Sequence, residues 1–128
     1  MKLFTVEEAN RLLPRMRMKL EMIRLNYEVV DGFRETARAA AAASDSGGGM
    51  AGGSKYVQAL YDIGKLTTEI TDAGVQLKDY KSGLIDFPSM RDGRIVLLCW
   101  QLGEPDQIEW FHDVEAGFAG RQPLENED

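Results

Sequence analysis

The sequence predicts an α+β fold: a long antiparallel helical hairpin beside a three-stranded antiparallel β-meander. Two observations carry that expectation. Apolar residues recur at alternating steps of three and four along most of the chain, then switch to a two-residue rhythm close to Lys81. Between the two helical stretches lies SDSGGGMAGGS, residues 44–54, whose glycines and serines suit a flexible loop rather than regular structure. At 128 residues the chain has the size of one domain. Its expected parts are the hairpin (6–80), the glycine-rich loop inside it (44–54), the meander (83–113) and an irregular tail (114–128).

Thr5 followed by Glu8 has the spacing of a capping box, in which each side chain satisfies a backbone donor of the first turn. A helix is therefore expected to begin near Val6. Pro14 lacks an N–H and predicts a kink or a restart. From just before it onward, Leu13, Met16, Leu20, Ile23, Tyr27 and Val30 draw one apolar stripe down a helix that fades into ARAAAAA. Running from Pro14 to about Ala43, it would be roughly 45 Å long.

A second helix is expected from about Ser54 to Asp79, with a seam of Tyr56, Leu60, Ile63, Thr67, Ile70, Gly74 and Leu77. Gly64 and Gly74 each cost about 1 kcal/mol inside a helix and fit places where another backbone comes close. Two such helices bury one stripe each, so they want a third layer or a second copy.

The segment GLIDFPSMRDGRIVLLCWQLGEPDQIEWFH, residues 83–112, supplies that layer. LIDF and RIVLLCW meet through a turn ending in Asp92-Gly93, and the chain then passes Gly103-Glu104-Pro105 into a third strand. RIVLLCW takes the centre, and its apolar character on both sides implies that both faces are covered. Pairing Phe87 with Arg94 and Trp100 with Gln107 puts Leu84, Asp86, Ile95, Leu97, Cys99, Ile108, Trp110 and His112 on one face. The other face receives Ile85, Phe87, Arg94, Val96, Leu98, Trp100, Glu109, Phe111 and Asp113. In this register Asp86 and His112 share a rung, separated by Ile95.

Composition excludes several classes of function. The net charge is −6 and the pI about 4.8, so the molecule as a whole repels nucleic acid and anionic lipid. Basic residues gather between Arg11 and Arg38, where Arg11, Arg15 and Lys19 form a ridge; neighbouring acids in the same fold are the simplest match for it. The N-terminus MKLFTVEEAN has acids where a signal peptide needs an apolar core, and no apolar run is long enough to span a membrane. A single cysteine cannot form an intrachain disulfide. Cytoplasmic residence is the expectation.

Asp86, Glu104 and His112 form the candidate polar cluster, suited to acid–base work or, with Asp79 as a further donor, to metal ligation. The plainer reading is a structural pair, Asp86 capping a turn and His112 held by a carbonyl or carboxylate. No HExxH, CxxC pair or GxSxG supports chemistry, and no cofactor is predicted. Cys99, amid aliphatics, reads as a small buried hydrophobe. Arg94, Trp100, Glu109, Phe111 and Arg121 mix aromatic and charged groups as a protein-binding surface does.

FTVEEANRLLP, DYKSGLIDFP, GRIVLLCWQLGE, the histidine after an aromatic residue, and GFAGRQPL together resemble a bacterial family known as domain of unknown function 2203. That family's pattern sets the histidine directly after tryptophan, whereas Phe111 here separates Trp110 from His112. The resemblance implies a small soluble protein with a helical part and a short sheet, and implies no activity. Asp86, Arg94, Cys99, Trp100, Glu104, His112 and Arg121 are the positions it carries over. The resulting expectation is a non-enzymatic interaction protein, homodimeric through the outer stripes of its hairpins and binding a further protein partner. The alternative is a small metal-binding protein or acid–base enzyme using Asp86, Glu104 and His112.

Overall fold

The computed structural model describes residues 1–43 and 52–124. It contains helices α1 (Val6–Ala43) and α2 (Gly53–Asp72), then strands β1 (Gln76–Asp79), β2 (Leu84–Arg91), β3 (Arg94–Gln101), β4 (Trp110–Asp113) and β5 (Gln122–Pro123). A 3-10 turn at Phe118–Gly120 precedes β5. The architecture is α+β, as expected, but the antiparallel sheet has five strands in the order β1-β2-β3-β4-β5 rather than three. Most of the anticipated glycine-rich loop, residues 44–51, lies outside the described residues.

The capping box forms as read: Thr5 Oγ1 accepts from the Glu8 amide at 3.0 Å, and Glu8 Oε1 accepts from the Thr5 amide at 2.9 Å. Pro14 does not restart the helix. α1 runs unbroken from Val6, with Pro14 on its exposed side. There the carbonyl of Asn10, which Pro14 cannot serve, is left on the helix flank that water reaches. The expected stripe is the buried one, since Leu13, Met16, Leu20, Ile23 and Val30 are all but inaccessible and Tyr27 is half-buried.

α2 ends seven residues earlier than its spacing suggested. Gly74 adopts φ +92°, its amide donates to the Thr71 carbonyl, and the Val75 amide donates to that of Ile70. This is a Schellman ending, which needs a left-handed residue and therefore favours glycine, with Val75 and Ile70 packed together in the core. Residues 76–79 are thereby free to become β1. The buried face of α2 is Ala59, Ile63, Leu66 and Ile70, and Leu60 of the expected seam is outside it. α2 packs on α1 through Val30, Ala59 and Ile63, the stacked rings of Phe33 and Tyr56, and the Lys19–Glu69 ion pair at 2.7 Å.

β2 runs past Pro88 to Arg91 and turns through Asp92 and Gly93, both at positive φ. Two left-handed residues form the tight hairpin turn whose twist matches paired strands. Pro88 is tolerated because its carbonyl accepts from the Phe4 amide at 2.7 Å, on the side of β2 away from β3; its missing N–H therefore removes nothing from the β2–β3 ladder. The register consequently differs from the expected one. Arg94 pairs with Arg91, four residues along from Phe87, and Cys99 pairs with Trp110, two residues along from the anticipated alignment. Both displacements are even, so the residues paired in β2, β3 and β4 keep their expected faces while the rungs move. Ile108, which precedes β4, departs from its expected face and joins the core beneath the helices.

The face carrying Ile85, Phe87, Val96, Leu98, Trp100 and Phe111 meets α1 and α2 in one continuous core with Leu13, Met16, Leu20, Ile23, Leu66 and Ile70. Asn10 Oδ1 accepts from the Ile108 amide at 2.7 Å, and Arg24 donates to the Lys81 carbonyl at 3.0 Å. These bonds fix α1 over the sheet.

Candidate functional site

On the face of the sheet away from the helices, β2, β3 and β4 each contribute one polar residue. Asp86 stands opposite Cys99, and His112 stands opposite Leu97, one step along the same face. Asp86 and His112 are therefore diagonal neighbours across β3, and their side chains reach each other over Cys99. His112 Nε2 lies 3.3 and 3.2 Å from the two Asp86 carboxylate oxygens. Its other nitrogen, Nδ1, is 2.8 Å from the Asp113 carbonyl and can only donate there. The donor atoms of Asp86, Cys99 and His112 all lie within 4.8 Å of one another. None of the three residues exceeds 2% exposure.

Burial sets the electrostatics. It pushes the Asp86 carboxyl up from its usual range, against the opposing pull of His112 and of hydrogen bonds from Cys99 and His112. Burial, reinforced by the Asp86 charge, pushes the Cys99 thiol up to about 12, so in this state it is a neutral donor. A thiol held so high is a poor nucleophile.

Glu104, grouped with Asp86 and His112 on sequence grounds, has another partner. Arg121 grips it through two parallel contacts, Nη1 to Oε2 at 2.8 Å and Nη2 to Oε1 at 2.9 Å. Oε1 also accepts from the Gln101 amide at 3.1 Å. The Arg121 guanidinium lies 4.9 Å from the Trp110 ring centre and 4.5 Å from that of Phe118, and its side chain is only 10% exposed. Arg121 thus clamps the C-terminal segment to the β3–β4 end of the sheet.

The surface anticipated for a partner protein is corrected at three of its five positions. Trp100 is 1% exposed, Phe111 6%, and both belong to the core beneath the helices. Alternation along the strands grouped them properly but could not say which face the helices would cover. Arg121 is internal, as above. Arg94 and Glu109 remain exposed, Arg94 paired with Asp113 at 2.9 Å. The cluster member that motif reasoning passed over is Cys99. Its signal was present, since strand alternation already placed it on the face of Asp86 and His112.

The helices present a different surface. Met18, Met22, Leu25 and Val29 of α1 are 42–61% exposed and follow steps of four, three and four. On α2, Val57, Leu60 and Tyr61 are 40–65% exposed. Gly64 continues their line, and among the described residues no atom outside its own stretch of helix lies within 4 Å of where a Cβ would stand. A shallow depression lined by Leu60, Tyr61, Gly64, Lys65, Thr68 and Glu69 lies there. None of the helices among the described residues is long and apolar enough to cross a membrane.

No curated protein and no solved structure matches the chain. The family model described as uncharacterized conserved protein (DUF2203) matches residues 2–124, and the chain belongs to that family.

Proposed function

We propose that the protein acts by association rather than catalysis, as a homodimeric assembly protein whose two helices form a hairpin that packs against the hairpin of a second copy. The observation that carries this reading is the second apolar stripe. Met18, Met22, Leu25 and Val29 keep heptad spacing on the side of α1 opposite the core, where a helix of a monomer needs polar residues. Glu21 and Glu28 flank that stripe, and exposed Lys65 flanks the line of Val57, Tyr61 and Gly64 on α2. Opposite charges beside complementary stripes suit α1 of one chain lying on α2 of the other, the arrangement of a four-helix assembly. Gly64, a helix-interior glycine with open space around it among the described residues, lets the second backbone come close.

A catalytic reading through Asp86, Glu104 and His112 has less support. Glu104 is neutralised by Arg121, and the other two are sealed from solvent. Sedimentation velocity across a range of concentrations tests the assembly. The dimer is expected to predominate in the micromolar range, and Leu25→Glu or Tyr61→Glu should return it to a monomer with unchanged circular dichroism. A wild type that stays monomeric when concentrated, or a dimer indifferent to both changes, removes the proposal. Such a dimer would offer its further protein partner the outer sheet rim around Arg94 and Glu109.

A further inference from the structure

We infer that Asp86, Cys99 and His112 form a binding site for one divalent cation of the zinc class. A charged imidazole–carboxylate hydrogen bond closes to about 2.7–2.9 Å, yet Nε2 stands 3.2 and 3.3 Å from both Asp86 oxygens. A tetrahedral ion with bonds of about 2.0–2.1 Å separates its nitrogen and oxygen ligands by about 3.3 Å. The spacing, long for a hydrogen bond between these groups, matches that of two ligands sharing an ion.

The orientation of His112 agrees. Nδ1 donates to the Asp113 carbonyl, which fixes the tautomer and leaves the Nε2 lone pair aimed at Asp86. A lone pair pointed at a carboxylate requires a proton or a cation between them. Cys99 completes the set from the central strand, held rigid in the sheet and fully buried.

Charge balance accommodates the ion. A dication that displaces the Cys99 thiol proton meets a thiolate, a carboxylate and a neutral imidazole, whose two negative charges offset its own, so the buried site is neutral with metal bound. Thiolate and imidazole select borderline-soft ions over Mg²⁺ and Ca²⁺, which need more oxygen ligands. Three protein ligands leave the fourth tetrahedral position to a non-protein donor.

The test uses full-length reduced protein, stripped with a chelator and titrated separately with Zn²⁺ and Co²⁺. About one Zn²⁺ per chain is expected by mass spectrometry of the metal. The Co²⁺ form should show a thiolate-to-metal charge-transfer band and the intense visible bands of four-coordination. Cys99→Ser should abolish the charge-transfer band, and His112→Gln should weaken Zn²⁺ binding by at least about tenfold. Excess Mg²⁺ should displace nothing. Sub-stoichiometric metal and no charge-transfer band in the wild type would overturn the inference, and so would a band that survives in Cys99→Ser. Because the wild-type Co²⁺ spectrum is decisive alone, a variant that fails to fold leaves the result intact.

Discussion

Gly83 holds a corner of the sheet that no other residue can hold without strain. Its φ is +68°, and an added Cβ would meet the Cγ and Cδ1 of Leu102 at 2.5 Å. Both the left-handed backbone and the crowding oppose a side chain. Gly83→Ala should therefore cost about 1–3 kcal/mol, read as a lowered urea midpoint with an unchanged slope; an unaltered midpoint would show that the corner relaxes freely. The polar cluster illustrates what single residues disclose. Asp86, Cys99 and His112 were assignable to one face because strand alternation is strict, and an even register shift preserves it. Their convergence was not assignable, because it depends on which rung each occupies. Pro88 set that: it looked like the end of a strand, but its carbonyl serves Phe4 instead.

At the scale of elements, α1 carries a defect that its length absorbs. Pro14 sits in the ninth position of a 38-residue helix, where it removes one hydrogen bond. Pro14→Ala should restore that bond and add up to about 3 kcal/mol of stability, visible as a higher thermal midpoint. A destabilised variant would mean that Pro14 itself is required to seat Phe4 and Ala9 against the sheet. The start of α1 was plain in the sequence because a capping box is a local device, complete within four residues. The end of α2 was less so. Its apolar spacing continues through Leu77, and only Gly74 marks where the Schellman turn stops the helix and frees β1. β5 had no such marker: two residues, Gln122 and Pro123, pair with β4 only because Arg121 and the Leu124 amide hold the segment there.

Across the whole molecule, one core joins both helices to β2, β3 and β4 and to Phe4, Val75 and Ile108 beside them. If the exposed stripes of α1 and α2 are buried between two copies, folding and pairing are linked by mass action. The thermal midpoint should then rise with protein concentration, by several degrees over a hundredfold dilution series, and should lose that dependence in Leu25→Glu. The general architecture was legible because the switch from a helical to a two-residue rhythm is a property of long stretches. Which sheet face would lie under the helices was not, because both faces of β3 are apolar and only the three-dimensional arrangement distinguishes them. The strand order has a consequence for how this fold comes into being. Each strand hydrogen-bonds only to those before and after it in the chain, so no ladder has to wait for a distant segment. Such nearest-neighbour construction keeps loop-closure entropy small and favours rapid refolding from denaturant, with the ribbon able to zip outward from the Asp92-Gly93 bend in both directions.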